Sequence, residues 1–251
     1  MDLSVYKKLN LDHQPVGVKL MFNKPDGVDP INKSMALCEL LKEALNSRQP
    51  FYFTKEHENC YGKAALGMVS GPPPIAAGSG QLGYRMGIFQ DARANARIYK
   101  QNYILEKGSV NYVVLSPLDR IEFDPDLLIL MAKPDQAEVV LRATTYSTGD
   151  IFASRQAIVL GCSWLFVYPY ITGKFNYNIT GLGFGMRGRH VFESGWFLIA
   201  IPFNWIPVIT RNLNEMDFVP EAYTLGKEKF LQKEWGVIAD INREAQNPLG
   251  K

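Results

Sequence analysis

The stretch Asp126–Ser147, DLLILMAKPDQAEVVLRATTYS, decides the class of fold. Its first part, DLLILMA, is a short apolar run led by Asp126, the pattern of a buried strand. Pro134 then stands where a helix tolerates proline best, in the first turn, and predicts a helix over 134–147. Working outward, PVGVKLMF (15–22) alternates Val16, Val18, Leu20 and Phe22 onto one face and reads as a strand. Residues 3–11 read as a short helix. Ser34 is the expected N-cap of a helix over 35–47, whose Cys38, Leu41 and Leu45 share a stripe. Strands are expected at 50–55, 110–116 and 195–202, and helices at 91–102, 207–216 and 220–235. Segment 155–168 fits either a strand or a buried helix. SGPPPIAAGSGQLG (70–83), with its prolines and glycines, is expected to be irregular. The sum is an α/β or α+β domain over 1–251, a mixed sheet with helices packed on it, and a flexible tail at 242–251.

Composition excludes several classes of function. The chain has 251 residues, 47% hydrophobic and 21% charged, and a net charge of +2. That gives no field to attract a polyanion, so nucleic acid is not the expected partner. The apolar stretches 157–171 and 195–209 are too short to span a bilayer and are broken by proline, so no membrane role is expected. The second of them is either core or a homo-oligomer interface. The N-terminus lacks the apolar core of a signal peptide. Three cysteines without close pairs do not make a disulfide framework. A cytoplasmic location follows as the expectation.

Chemistry centres on those cysteines, Cys38, Cys60 and Cys162. A thiolate is both nucleophile and soft metal ligand, and an ordinary thiol must lose its proton for either task. TKEHENCYG (54–62) surrounds Cys60 with Glu56 and Glu58, which disfavour a free thiolate; a bound metal would overcome that. No C-x-x-C spacing is present, so the three could close a metal site only through the tertiary fold. The competing reading is of small buried residues, and Cys162 in VLGCSWLF fits it best.

GSGQLG (78–83) and GFGMRG (183–188) match G-x-G-x-x-G. Neither follows a strand and opens a helix with an acid at the required distance, so a dinucleotide fingerprint is not supported. Each turn does carry arginine: Gly83 with Arg85, and Gly183 and Gly185 with Arg187, followed by Arg189 and His190. Bare amides beside guanidinium suit a small anionic ligand or cofactor. A shift of 102 residues lays Cys60 on Cys162, Gly83 on Gly185 and Arg85 on Arg187, an offset that reads as two pseudo-repeated halves, about 30–100 and 132–202.

Four segments taken together, LDHQPVGVKLMF, LCELLKEALNSRQPFYFTKEHENCYGKAALGM, SPLDRIEFDPDLLILMAKPDQAEVVLRA and GFGMRGRHVFESGWFLIAIPFNWIPVI, resemble one family. It is the domain-of-unknown-function 169 family of anaerobic archaea and bacteria, and the resemblance spans about residues 10–216. It transfers no catalytic residue. It implies weight for Cys38 and Cys60, which fall in its most recognisable blocks, and an anaerobic setting suited to iron–sulfur or tetrapyrrole chemistry.

Three readings of function remain. In the first, Cys38, Cys60 and Cys162 ligate an iron–sulfur centre, with zinc or a tetrapyrrole as alternatives, and His57 or Glu58 or a substrate takes a fourth position. In the second, a non-catalytic accessory protein binds a small molecule or tetrapyrrole in a pocket of Tyr84, Phe184, Trp196 and Trp205. In the third, Cys60 is a nucleophile with His57 as its base.

Overall fold

Leu127–Ala132 is a strand and all six of its residues are buried. The computed structural model in which it sits describes residues 2–246. These fall into two compact units, divided between Asn214 and Glu215. The first unit opens with a 3-10 helix at Ser4–Leu9, then β1 (Val16–Met21), α1 (Leu37–Asn46) and β2 (Phe51–Phe53). Four short helices follow: α2 (Gly62–Ala65), α3 (Pro74–Ala77), α4 (Gln81–Arg85) and α5 (Ala92–Tyr99). Next come β3 (Tyr112–Pro117), β4 (Leu127–Ala132) and α6 (Pro134–Thr145). A π-helical turn at Ser163–Val167 runs into α7 (Tyr168–Thr172), followed by β5 (Asn176–Ile179), α8 (Phe184–Gly188), β6 (Phe197–Pro202) and α9 (Ile206–Glu215).

The six strands form one sheet in the order β2-β3-β1-β4-β6-β5. Every strand pairing in it is antiparallel, with Val16 opposite Ile129 and Leu130 opposite Ile199. The expected combination of helices on a sheet holds, and the pairing makes it α+β. Parallel pairing is confined, among the described residues, to isolated bridges such as Met35 to Glu58.

The central strands are buried on both faces because helices cover both. Val16, Val18, Leu127, Ile129 and Met131 pack with Leu37, Leu41 and Leu45 of α1 and with Leu165–Val167 of the π-turn. Leu128 and Leu130 point the other way, where α6 packs against β4 and β6. Asn212 of α9 donates from Nδ2 to the Ala143 carbonyl (2.8 Å), tying α9 to α6.

Several expectations need correction. Phe22 lies beyond β1 and is exposed, because the strand ends at Met21. Ser34 does not cap α1: the helix starts at Leu37, and Glu39 accepts from the Ala36 N–H instead (2.7 Å). The 70–83 segment is not wholly irregular; Pro74 sits in the first turn of α3, where its missing N–H costs nothing. Segment 155–168 resolves as chain without strand pairing and then helix, and β5 has no counterpart among the expected strands. The elements ahead of the two offset cysteines also differ: β2 precedes Cys60, whereas a chain without strand pairing precedes Cys162.

The second unit contains α10 (Gly226–Gln246), longer than the helix expected to end at 235. Residues 242–246 of the expected flexible tail belong to it, and 247–251 lie outside the described residues. Among the described residues no helix is long and apolar enough to cross a membrane.

The first glycine motif proves to be a packing device. Gly80 has φ +69°, and a Cβ there would lie 1.8 Å from the Ala92 carbonyl oxygen; one on Gly83 would lie 2.2 Å from Asn95 Oδ1. Both contacts draw α4 onto α5. Gly80→Ala should therefore destabilise the protein by at least ~1–3 kcal/mol, read as a lower denaturation midpoint.

Candidate functional site

Glu58 organises the cysteine region. Its carboxylate is wholly buried. Oε1 accepts the Leu37 N–H at the start of α1 (2.9 Å), and Oε2 accepts the N–H groups of Cys60 (3.0 Å) and Lys63 (3.1 Å) at the start of α2. Lys63 Nζ returns to the Glu58 carbonyl (2.6 Å). Alongside, Met35 N–H donates to the His57 carbonyl and Asn59 N–H to the Met35 carbonyl. The loop that carries Cys60 is thus stitched to the helix that carries Cys38.

This bracket requires glycine next to it. A Cβ on Gly62 would lie 2.5 Å from Leu37 Cβ and 3.0 Å from Glu58 Oε1. Burial pushes the Glu58 carboxyl above its usual range, against the pull of its three N–H donors. Hydrogen bonds to a charged acceptor contribute about 1.5–3 kcal/mol each, and desolvating a carboxylate costs several. The upward direction says that desolvation wins, so Glu58 fixes geometry more than it stabilises.

The third cysteine arrives on a different kind of backbone. Cys162 directly precedes the π-turn, and Leu160 just before it has φ +49°, a conformation a bulky residue rarely adopts. The Ser163 N–H closes that turn on the Leu160 carbonyl (2.9 Å), and Ser163 Oγ donates to the Tyr103 carbonyl (2.5 Å). Strain and π-turns of this kind gather at functional sites.

Cys38, Cys60 and Cys162 line one cavity of about 470 Å³. The structure therefore brings together all three cysteines singled out by sequence. Gly183 and Gly185 also line it, and nothing lies within 4 Å of a Cβ built on Gly185. Gly83 is not on the wall; it is spent on packing against Asn95. Arg85 and Arg187 are exposed and are not among the lining residues. The guanidinium at this site belongs to Arg189, which pairs with Glu39 at 3.6 Å and acts on the Cys38 thiol.

His57 and Glu58 do not line the cavity. His57 Nδ1 accepts the Thr54 N–H (3.1 Å), so it is committed to its own turn and is not paired with Cys60. Of the four aromatics expected to form a pocket, Phe184 is on the wall. Tyr84 is exposed, Trp205 lies in a 3-10 turn, and Trp196 stacks with His13 and Lys133. Tyr61 and Tyr99 line the cavity and were not anticipated. The signal was present for Tyr99: it shares an inner helix face with Asn95, a polar stripe where a core stripe would be apolar.

The Cys38 and Cys162 thiols are not activated. Burial raises Cys38 to about 12, with the neighbouring Cys60 adding to the effect. Burial also drives Cys162 well above the ordinary value, although it keeps some surface on the cavity; Cys38, Glu58 and Cys60 reinforce it. Such groups are poor nucleophiles and become thiolates when a metal displaces their protons.

A family model described as "Uncharacterised ArCR", the domain of unknown function 169, matches residues 4–212. The chain belongs to this family. The match contains every residue that lines the cavity. An uncharacterised protein of Methanocaldococcus jannaschii is 30% identical over 147 residues, covering 57% of this chain and 62% of its own length. The matched part thus spans less than two thirds of that relative. No solved structure matches the chain.

Two outcomes test this geometry. Glu58→Ala leaves three N–H groups without an acceptor and should cost upwards of ~3 kcal/mol in denaturant unfolding, with Glu58→Gln intermediate. At pH 8.5, Cys38 in the metal-free folded protein should carry roughly a thousandfold less thiolate than an ordinary cysteine. Mass-spectrometric alkylation kinetics should show that deficit, and urea should abolish it.

Proposed function

We propose that this is a cytoplasmic protein that holds an iron–sulfur centre through Cys38, Cys60 and Cys162. The observation that carries the reading is that all three cysteines of the chain, from three distant segments, line a single cavity. Thiolate sulfur is the ligand that iron–sulfur clusters take. Among the described residues no three His, Cys, Asp or Glu side chains are grouped to hold one metal ion. The reading rests on the cavity that the cysteines share, not on a formed ligand set.

The rest of the cavity suits such a group. Its wall is largely apolar, with Leu82, Ile158, Leu160, Phe184 and Met186, and this limits water at the sulfurs. Arg189 supplies a positive charge beside Cys38, which supports thiolate character and an anionic ligand. Three thiolates leave one metal position for a ligand from solution, because Glu58 is engaged by three backbone donors and His57 by Thr54. A bound centre would supply electron transfer or Lewis acidity at that position.

Anaerobic purification followed by absorption spectroscopy and iron and sulfide analysis tests the proposal. The expected result is a coloured protein containing both elements, with each of Cys38→Ser, Cys60→Ser and Cys162→Ser losing the colour while keeping the fold by circular dichroism. A colourless, metal-free protein that also fails to take up iron and sulfide on anaerobic reconstitution would sink it.

A further inference from the structure

The cavity holds more than the sulfurs require. At about 470 Å³ it falls within the range of small-molecule sites, roughly 300–1,000 Å³. Its cysteines occupy only part of the wall. Facing the same space is Tyr99, only 3% exposed. Its ring packs with Ala76 and Val159. Among the described residues nothing hydrogen-bonds its hydroxyl, and the groups that act on it electrostatically are Tyr61 and Cys60, both on the cavity wall. That hydroxyl is not one of the enclosed polar atoms lacking a partner; it opens onto the cavity, where its O–H is free to donate to an occupant.

We propose that Tyr99 and Arg189 form a binding subsite for a small organic carboxylate, held in the cavity beside the cysteines. The chemistry follows from the wall. Burial raises the Tyr99 phenol to about 12, so at neutral pH it is a donor and never an anion. Arg189 is the cationic side chain on the wall, and its contact with Glu39 at 3.6 Å is loose enough to give way to a better-placed carboxylate. Leu82, Met86, Ile158 and Phe184 offer an apolar surface for the carbon body of an acid. The inference rests on the cofactor reading for its setting, since the acid would lie next to the proposed centre, but the subsite needs no iron to be tested.

Ligand-observed NMR titrations with butyrate and phenylacetate, and with 1-butanol and 2-phenylethanol as uncharged controls, provide the test. They are run on metal-free and on anaerobically reconstituted wild-type protein, Tyr99→Phe and Arg189→Gln. The acids should bind the wild type in preference to the alcohols. Tyr99→Phe and Arg189→Gln should each weaken that binding about tenfold or more. Because the hydroxyl has no protein partner, Tyr99→Phe should melt no lower than the wild type. Failure of both acids to bind, equal binding by Tyr99→Phe, or a lowered melting temperature in that variant would overturn the subsite. Iron and sulfide are measured on the same samples, which separates the two ideas. Tyr99-dependent acid binding without iron uptake keeps the subsite and removes the cluster; iron uptake with indifferent Tyr99→Phe does the reverse.

Discussion

One buried carboxylate holds the two halves of the cysteine site in register. Glu58 accepts from Leu37, Cys60 and Lys63 at once, so the starts of α1 and α2 share a single acceptor. Each helix start has N–H groups that the helix itself cannot satisfy. A carboxylate placed between two such starts answers both and fixes the distance between them. Gly62 lets the two backbones come that close. The sheet sets where α1 lies, through Leu37, Leu41 and Leu45, and Glu58 converts that position into a position for Cys60.

Cys162 reaches the same cavity by other means. Its segment comes from the far part of the chain and turns sharply through Leu160 into a π-helix, with Ser163 anchored to the Tyr103 carbonyl. Two of the cysteines are therefore bracketed by hydrogen bonds and the third is set by backbone strain. Burial keeps the Cys38 and Cys162 thiols protonated in the absence of a ligand. Loading a metal centre would release those protons, which couples its affinity to pH and makes it weaken in acid.

Much of this was legible in the sequence, for identifiable reasons. The apolar run 127–132 and the proline at 134 announced a strand and a helix, because burial and proline chemistry act locally. The cysteines stood out by their chemistry alone, and the structure brings all three to one cavity. What escaped the sequence was set by tertiary contacts. Ser34 is a good capping residue, but Glu39 and Glu58 were better placed to answer the N–H groups of α1. Glu58 itself read as a charge beside a thiol, since nothing local says that it faces three amides. Arg85 and Arg187 looked equivalent to Arg189 until the fold put only the last on the wall. β5 was missed because NYNI alternates in the opposite sense to an ordinary strand: Asn176 and Asn178 are buried, and Tyr177 and Ile179 face outward.

Mössbauer spectroscopy of protein reconstituted anaerobically with iron-57 addresses the central claim most directly. Three thiolates on a four-iron cluster, the form that leaves one metal position open, predict a spectrum in which one iron, lacking a cysteine, is set apart from the others and responds to added ligand. A mononuclear iron signal, or a cluster whose irons all carry thiolate and ignore added ligand, would contradict the account.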